Sequence, residues 1–148
     1  MKISFHGAAR TVTGSKHLVQ LVNGENFLLD CGLFQGMGRD TDAYNANFGF
    51  DPKTVDYVIL SHAHIDHTGL LPKLAAEGFR GKVYCTPATK ALVEILLEDS
   101  AMIQRDDAKY KNKRLAREGM PLIEPLYTID DVNLLLPMLQ TVEYDKPY

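Results

Sequence analysis

The chain has 148 residues, of which 45% are hydrophobic, so it has the size of one domain and can bury a sizeable core. Its formal charge of -3 excludes the general basic surface of a stand-alone nucleic-acid-binding protein and leaves only local basic patches for such contacts. The chain has two cysteines, which do not form a CxxC pair. It has no apolar core of a signal peptide at its start, and no apolar run approaches the ~18 residues that a membrane span needs. These features predict a reduced, cytoplasmic protein with no membrane span.

Strand patterns occupy the amino-terminal part of the chain. Alternating apolar residues at 2–6 and 17–22 predict two strands. The Asn-Gly pair at 23–24 is a tight-turn signal, so we expect a hairpin with a third strand that ends at Asp30. Residues 32–54 are rich in Gly, Asn and Asp, which predicts a long loop with room for one helical turn. Loops that long inside a compact domain are usually functional.

From residue 55 onward, predicted strands alternate with predicted helices. A nearly continuous apolar run at 55–60 predicts a strand that is covered on both faces. Apolar residues at helical spacing then predict a helix over 67–77. The remaining elements are a strand at 82–86, a helix from Pro87 to about Asp107, a helix at 129–139 and a strand at 141–144. The sequence shows no internal repeat and no linker, so we treat residues 1–148 as one α/β unit.

Histidine is concentrated in one short segment. Three of the five histidines, with an aspartate, form the pattern H-x-H-x-D-H at residues 62–67, directly after the apolar strand. Imidazoles crowded beside a carboxylate would repel one another on protonation unless a cation holds them neutral. We therefore interpret this cluster as a metal site. The isolated His6 and His17 are expected to be ordinary packed or solvated histidines.

The spacing within the cluster indicates two ions. On a helix, residues two apart point about 200° apart, so His62 and His64 can share one ion only from extended or turn backbone. Asp66 and His67 are adjacent and cannot easily reach the same ion, which predicts a second metal nearby. Imidazole with carboxylate suits zinc best, with manganese or iron as alternatives. Two ions about 3.5 to 4 Å apart clamp the attacking and leaving oxygens in hydrolysis, so we expect a dinuclear hydrolytic centre.

Four segments resemble those of one known family. They are GAARTVTGSKHLV, LLDCGLFQG, SHAHIDHTGLLPKL and EPLYTIDDV, and they span nearly the whole chain. Together they resemble the β-CASP branch of the metallo-β-lactamase superfamily, whose members cut RNA or, in some cases, DNA. The resemblance implies an α/β fold, part of an αββα sandwich in which a mixed β-sheet has helices on its outer face. It also implies a zinc-dependent exo- or endonuclease whose substrate is RNA or single-stranded DNA.

The same resemblance implies a role for each residue of the cluster. His62 and His64 would bind the first metal, and Asp66 and His67 would bind the second. Asp66 would also be the catalytic residue that helps to hold or deprotonate the attacking water. Asp30, at the end of the third strand, would lie outside the ligand set and orient the histidines, a role that metal sites commonly need.

The sequence departs from the family pattern in its carboxyl-terminal part. The family has a further histidine in a G-H-x-L-G-like turn, a bridging aspartate and a last metal-binding histidine, whereas no histidine follows Tyr84 here. The inserted β-CASP domain is also not found. We therefore expect residues 1–148 to be the amino-terminal part of a metallo-β-lactamase domain, inactive alone, and prone to self-association through the sheet face that a second sheet would cover.

Two other functions stay open at this point. A different hydrolase of the superfamily, acting on thioesters or lactams, fits the histidine cluster, although the motifs outside the cluster disfavour it. A non-catalytic folding or assembly module is the second alternative. A nucleotide site is excluded, because six residues separate Gly7 and Gly14 before the Ser-Lys pair, where a phosphate-binding P-loop has four.

One basic stretch, KYKNKRLAREG, follows the long predicted helix. Its candidate nucleic-acid contacts are Lys109, Lys111, Lys113 and Arg114, beside the aromatic Tyr110. Such a stretch is suited to phosphate contacts and base stacking. Charge runs are usually solvated faces, so a solvated helix end is the favoured interpretation.

Overall fold

The computed structural model describes residues 1–36 and 40–147 and shows one mixed sheet with helices against it. Its strands are β1 (Lys2–Phe5), β2 (His17–Gln20), β3 (Asn26–Leu29), β4 (Tyr57–Ile59), β5 (Lys82–Cys85) and β6 (Leu139–Thr141). Its α-helices are α1 (Thr41–Ala46), α2 (Ile65–Thr68), α3 (Leu71–Ala76), α4 (Pro87–Arg117) and α5 (Ile129–Leu135). Pro52–Thr54 and Leu136–Met138 are 3₁₀ turns.

The sheet follows chain order from β1 to β6. The first three strands pair antiparallel, and β3 to β6 pair parallel. The predicted mixed sheet is therefore confirmed. Because the carboxyl ends of neighbouring parallel strands meet at one edge, the segments that leave β3 and β4 lie beside each other. Those two segments contain Asp30 and the histidine cluster.

The core lies on one face of the sheet. Leu28, Val58 and Val83, at the centre of adjacent strands, are fully buried. They pack in one cluster with buried residues of the helices, namely Leu70, Leu71, Leu74, Val93, Leu97, Val132 and Leu135. Helices on a single face of the sheet are what the sequence predicts. No helix among residues 1–36 and 40–147 is long and apolar enough to cross a membrane.

Several predicted elements have other boundaries in the structure. The helix predicted over 67–77 is two short helices, because Pro72 has no N–H to donate to the preceding turn. The helix predicted to end at 139 gives way to a 3₁₀ turn at Leu136, and the last strand starts at Leu139. The long loop predicted at 32–54 contains α1, which agrees with the expected helical turn, and also a 3₁₀ turn, and its residues 37–39 lie outside the described residues.

The largest difference concerns α4, which includes the basic stretch and ends at Arg117 rather than near Asp107. Its termination signal is Gly119, which has a φ of 66°. The Met120 N–H bonds the Leu115 carbonyl and the Gly119 N–H bonds the Ala116 carbonyl, the pattern of a Schellman cap. Basic residues in the last turns of a helix interact favourably with the helix dipole, so this sequence continues the helix.

Candidate metal centre

The histidine cluster leaves the sheet at the carboxyl end of β4. Ser61, His62 and Ala63 follow the strand without helical structure, and His64 is the residue before α2. Asp66 and His67 lie on α2, a single helical turn. The two predicted ligand pairs therefore come from different backbone conformations, the first from irregular backbone and the second from a helical turn.

The three imidazoles of the cluster lie against one another. The ring centroids of His62 and His64 are 4.6 Å apart, and those of His62 and His67 are 4.0 Å apart. Burial lowers the pKa of His62, and the neighbouring His67 and His64 lower it further because a second positive charge would be repelled. A neutral imidazole is the form that binds a metal ion, so this environment favours ligation.

Asp30 lies beside the cluster and is almost completely buried, with 3% of its surface exposed. Its Oδ1 accepts hydrogen bonds from the N–H of Ser61 at 2.8 Å and from the Ser61 hydroxyl at 2.9 Å. Its Oδ2 lies 2.8 Å from Nδ1 of His67. A carboxylate oxygen accepts hydrogen bonds, so this contact favours the neutral tautomer of His67 with the proton on Nδ1 and the lone pair on Nε2. That Nε2 lies 3.6 Å from Oδ2 of Asp66.

The backbone at Asp30 is in the left-handed region, with φ at 59°. Aspartate is one of the few residues other than glycine that tolerate this conformation. The strand ends here, yet the Asp30 N–H still bonds the Ile59 carbonyl at 3.0 Å. The turn thus aims the carboxylate across the end of β4 toward Ser61 and His67.

Backbone hydrogen bonds join the segments around Ser15, Gly32 and Asp66 and so hold α2 against the turn at Asp30. The Ser15 N–H donates to the Asp66 carbonyl at 2.9 Å, and the Gly32 N–H donates to the Ser15 carbonyl at 2.8 Å. A Cβ on Gly32 would lie 1.6 Å from the Asp66 carbonyl oxygen, so only glycine fits. The Ser15 hydroxyl also donates to Asp30 at 3.3 Å. Sequence reasoning considered the Gly-Ser-Lys segment only as a rejected phosphate-binding loop and did not identify this contact.

Lys16 is a second residue that sequence reasoning missed. Its side chain is fully buried, and its Nζ donates to the Gly32 carbonyl at 2.9 Å. The ammonium also lies 4.3 Å from the centroid of the Phe34 ring. Burial lowers the pKa of Lys16 to about 8. A lysine beside a strand pattern is normally exposed, so no sequence signal distinguishes this one.

Comparison with known proteins assigns the family. The model of the metallo-β-lactamase superfamily matches residues 13–141. The chain belongs to the metallo-β-lactamase superfamily. It is 46% identical to Ribonuclease TTHA0252 of Thermus thermophilus over 146 residues, which are 99% of this chain and 29% of that protein. It is 33% identical to Endoribonuclease ysh-1 of Neurospora crassa over 144 residues, 96% of this chain and 15% of that protein.

These relatives are RNA-processing enzymes of the β-CASP type, so the branch indicated by the sequence motifs is confirmed. The chain spans less than a third of the length of either relative. Among solved structures, a metallo-β-lactamase with a HARLDQ motif from Cronobacter sakazakii is 23% identical and has a TM-score of 0.44. That match covers 60% of this chain and 30% of the solved one.

Superfamily membership implies a divalent metal, and the donor atoms present fit one. Nδ1 of His67 is hydrogen-bonded to the Asp30 carboxylate, an arrangement that commonly fixes the orientation of a metal-binding histidine. Nδ1 of His62 lies 3.0 Å from the Ser61 hydroxyl. Among residues 1–36 and 40–147, no three His, Cys, Asp or Glu side chains are arranged to hold one ion. Burial raises the pKa of the Cys31 thiol to about 12, so this neighbour of Asp30 stays protonated.

The remaining candidate residues lie outside the cluster. His6 packs edge to face on Phe50, and His17 packs in the same way on Phe5, with its Nε2 3.5 Å from the Ser15 hydroxyl. The basic residues lie on the last part of α4. Two of them have acidic partners, Lys109 at 3.8 Å from Asp106 and Arg114 at 3.7 Å from Glu118.

A groove of about 500 Å³ lies along this part of α4, lined by Tyr110, Lys111, Lys113, Arg114 and Arg117. Lys111 also lines a second cavity of about 540 Å³, which extends to Leu33, Phe34 and Gln35 in the loop after Asp30. Lys111 is thus a lining residue of both cavities. The structure does not bring the basic side chains into the cluster itself.

Proposed function

We propose that this chain is the amino-terminal part of a metal-dependent hydrolase that cleaves the phosphodiester bonds of RNA. The observation that carries the proposal is the geometry of His67, whose Nδ1 is held by Asp30 while its Nε2 faces Asp66. The ribonuclease relatives support the same chemistry. RNA is proposed over single-stranded DNA because both of these relatives are named as ribonucleases.

His62 and His64 would hold one ion, and Asp66 and His67 would hold a second. Zinc suits this imidazole and carboxylate set best, with manganese or iron as alternatives. When bound, the ions would supply positive charge that polarises the phosphate and lowers the pKa of a water molecule. Asp30 keeps His67 in the tautomer whose Nε2 can bind, and Ser61 fixes the direction of the Asp30 carboxylate.

Asp66 would manage the proton of the attacking water. Its carboxylate takes that proton as the water oxygen forms a bond to phosphorus and the bond from phosphorus to the leaving ribose oxygen breaks. The leaving oxygen is protonated from solvent. The buried contact between the Asp66 carbonyl and the Ser15 N–H fixes the backbone of this residue while its side chain works at the cluster.

The basic groove on α4 would contact the RNA strand. Lys109, Lys111, Lys113 and Arg114 can neutralise phosphates, and Tyr110, 79% exposed, offers a ring on which a base can stack. Both cysteines are free and buried, which suits the reducing cytoplasm where such RNA would be found. The substrate strand would run from the groove toward the loop after Asp30.

The test is a cleavage assay on the protein made from the complete reading frame that contains this sequence. Labelled RNA, a thioester and a β-lactam serve as parallel substrates, with His64→Ala as the inactive variant and Asp56→Asn as the matched control. RNA cleavage that is lost in His64→Ala and kept in Asp56→Asn supports the proposal. Hydrolysis of the thioester or the lactam alone would support a different hydrolase. The 148-residue chain by itself is expected to leave all three substrates intact.

A further inference from the structure

The helical turn that carries two of the predicted metal ligands is held in place by other segments. α2 has only four residues, Ile65–Thr68, and isolated helices of this length do not form in water. Three consecutive carbonyls of α2 accept hydrogen bonds from backbone N–H groups elsewhere in the chain. These bonds join Leu33 to Ile65 at 3.1 Å, Ser15 to Asp66 at 2.9 Å and Cys31 to His67 at 2.8 Å. The direction of the Asp66 and His67 side chains therefore follows from the turn at 31–33 and from Ser15.

Gly32 lies at the centre of this turn and bonds the neighbouring segment through both of its backbone groups. Its N–H donates to the Ser15 carbonyl at 2.8 Å, and its carbonyl accepts from Nζ of Lys16 at 2.9 Å. Gly32 is buried, and a buried carbonyl that loses its donor destabilises the conformation in which it is buried. The Lys16 ammonium thus fixes the turn against the segment whose Ser15 N–H reaches Asp66.

Burial of the Lys16 ammonium costs free energy that packing alone does not require. The side chain is fully buried, and its removal from water lowers its pKa to about 8. The Phe34 ring, whose centroid lies 4.3 Å from Nζ, offsets part of this cost. A methionine of similar length would fill the same space without desolvation of a charge. The donor on Lys16 therefore points to a role beyond packing.

We propose that Lys16 is a positioning residue of the metal centre. Its hydrogen bond to the Gly32 carbonyl holds the turn at 31–33, and this turn holds α2 with the His67 ring 4.0 Å from that of His62. Lys16 acts through the backbone of Gly32 and Ser15, not by contact with a metal ion or with RNA. This inference rests on the proposed metal-dependent function and adds to it a residue outside the histidine cluster.

The test compares the unmodified 148-residue chain with Lys16→Met, which removes the charge and the donor and keeps the length of the side chain. Lys73→Met is the matched control. Lys73 is also buried, with Nζ 4.7 Å from the centroid of the Phe48 ring, but its hydrogen-bond partner is Glu77 and not the turn. His64→Ala marks the loss of a predicted ligand. Amide hydrogen exchange is measured by NMR, and zinc affinity is measured by competition with a chelating dye.

Lys16→Met should speed exchange of the Ser15 N–H by about tenfold or more in the zinc-free chain. The Leu60 N–H, which bonds the Tyr84 carbonyl within the sheet, should keep its rate, whereas a general loss of stability would speed both amides alike. Zinc affinity should fall by about tenfold or more in Lys16→Met and stay unchanged in Lys73→Met. Because coupling is reciprocal, bound zinc should also slow exchange of the Ser15 N–H in the unmodified chain.

A folded Lys16→Met chain that keeps the Ser15 exchange rate and the zinc affinity of the unmodified chain overturns the proposal. If Lys16→Met does not fold, the unmodified chain decides, since bound zinc that leaves Ser15 exchange unchanged also overturns it. Failure of the proposed function gives a different result. Zinc affinity that is equal in His64→Ala and the unmodified chain refutes the metal centre, and with it this inference, whatever Lys16→Met shows.

Discussion

Replacing Asp30 with asparagine should separate folding from metal binding. Asparagine has nearly the same shape and also tolerates the φ of 59° at this position, so the backbone is unstrained. Its amide oxygen can still accept from the Ser61 N–H. Its amide nitrogen would then replace Oδ2 and donate to Nδ1 of His67, which moves the proton of that ring to Nε2, the atom that faces Asp66.

The size of each effect follows from these contacts. The hydrogen bonds from Ser61 and His67 lose their charge assistance, at about 1 kcal/mol each, so the free energy of unfolding should fall by about 2 kcal/mol. Zinc affinity should also fall, by about 10- to 100-fold, because Nε2 of His67, which is needed to bind the metal, then carries a proton.

Urea unfolding gives the first quantity, and competition with a chelating dye gives the second. Asp56→Asn is the control, since Asp56 also accepts a backbone N–H, from Asn26 at 2.7 Å, but lies away from the cluster. If Asp30→Asn lost stability and kept the zinc affinity of the unmodified chain, the proposed link between Asp30, the His67 tautomer and the metal would be wrong.

Three further outcomes are expected. Gly32→Ala should lower the free energy of unfolding by more than about 3 kcal/mol in urea titration, because its Cβ meets the Asp66 carbonyl, whereas Gly24→Asn at an open turn should cost little. Burial lowers the pKa of Lys16 to about 8, so between pH 8 and 10.5 the folded chain releases a proton that the unfolded chain keeps. Over this range, the free energy of unfolding of the unmodified chain should therefore rise by up to about 3 kcal/mol relative to that of Lys16→Met. After dialysis, elemental analysis should find well under two zinc ions per chain, because no three described side chains are arranged around one ion.

The sequence was sufficient to predict the features that depend on local pattern. The apolar run before the histidines predicts β4, and the Asn-Gly pair predicts the hairpin of β2 and β3, because strand and turn preferences act over a few residues. The end of α4 was predicted wrongly although a local signal was present. Gly119 is a typical helix C-terminal residue, and the basic stretch before it consists largely of helix formers.

The surroundings of the cluster could not be predicted, because they depend on contacts between distant segments. The side chain of Lys16 contacts the Gly32 carbonyl and the Phe34 ring. That segment lies beside Lys16 only after the chain has folded. Ser61 directly precedes the cluster, yet its function is visible only when β3 and β4 lie side by side and Asp30 meets it. Which residues share a face of the sheet is apparent only from the register of all the strands.

Nitrogen-15 NMR spectra of the histidine rings during zinc titration test whether the cluster is a metal centre. Large shifts are expected for a ring nitrogen in His62, His64 and His67, with Nε2 of His67 bound to the metal and its Nδ1 proton retained by Asp30. His6 and His17 serve as internal controls and should not shift as metal ligands do. Zinc-dependent shifts confined to His6 and His17, or a His67 ring bound through Nδ1, would contradict the proposed metal centre.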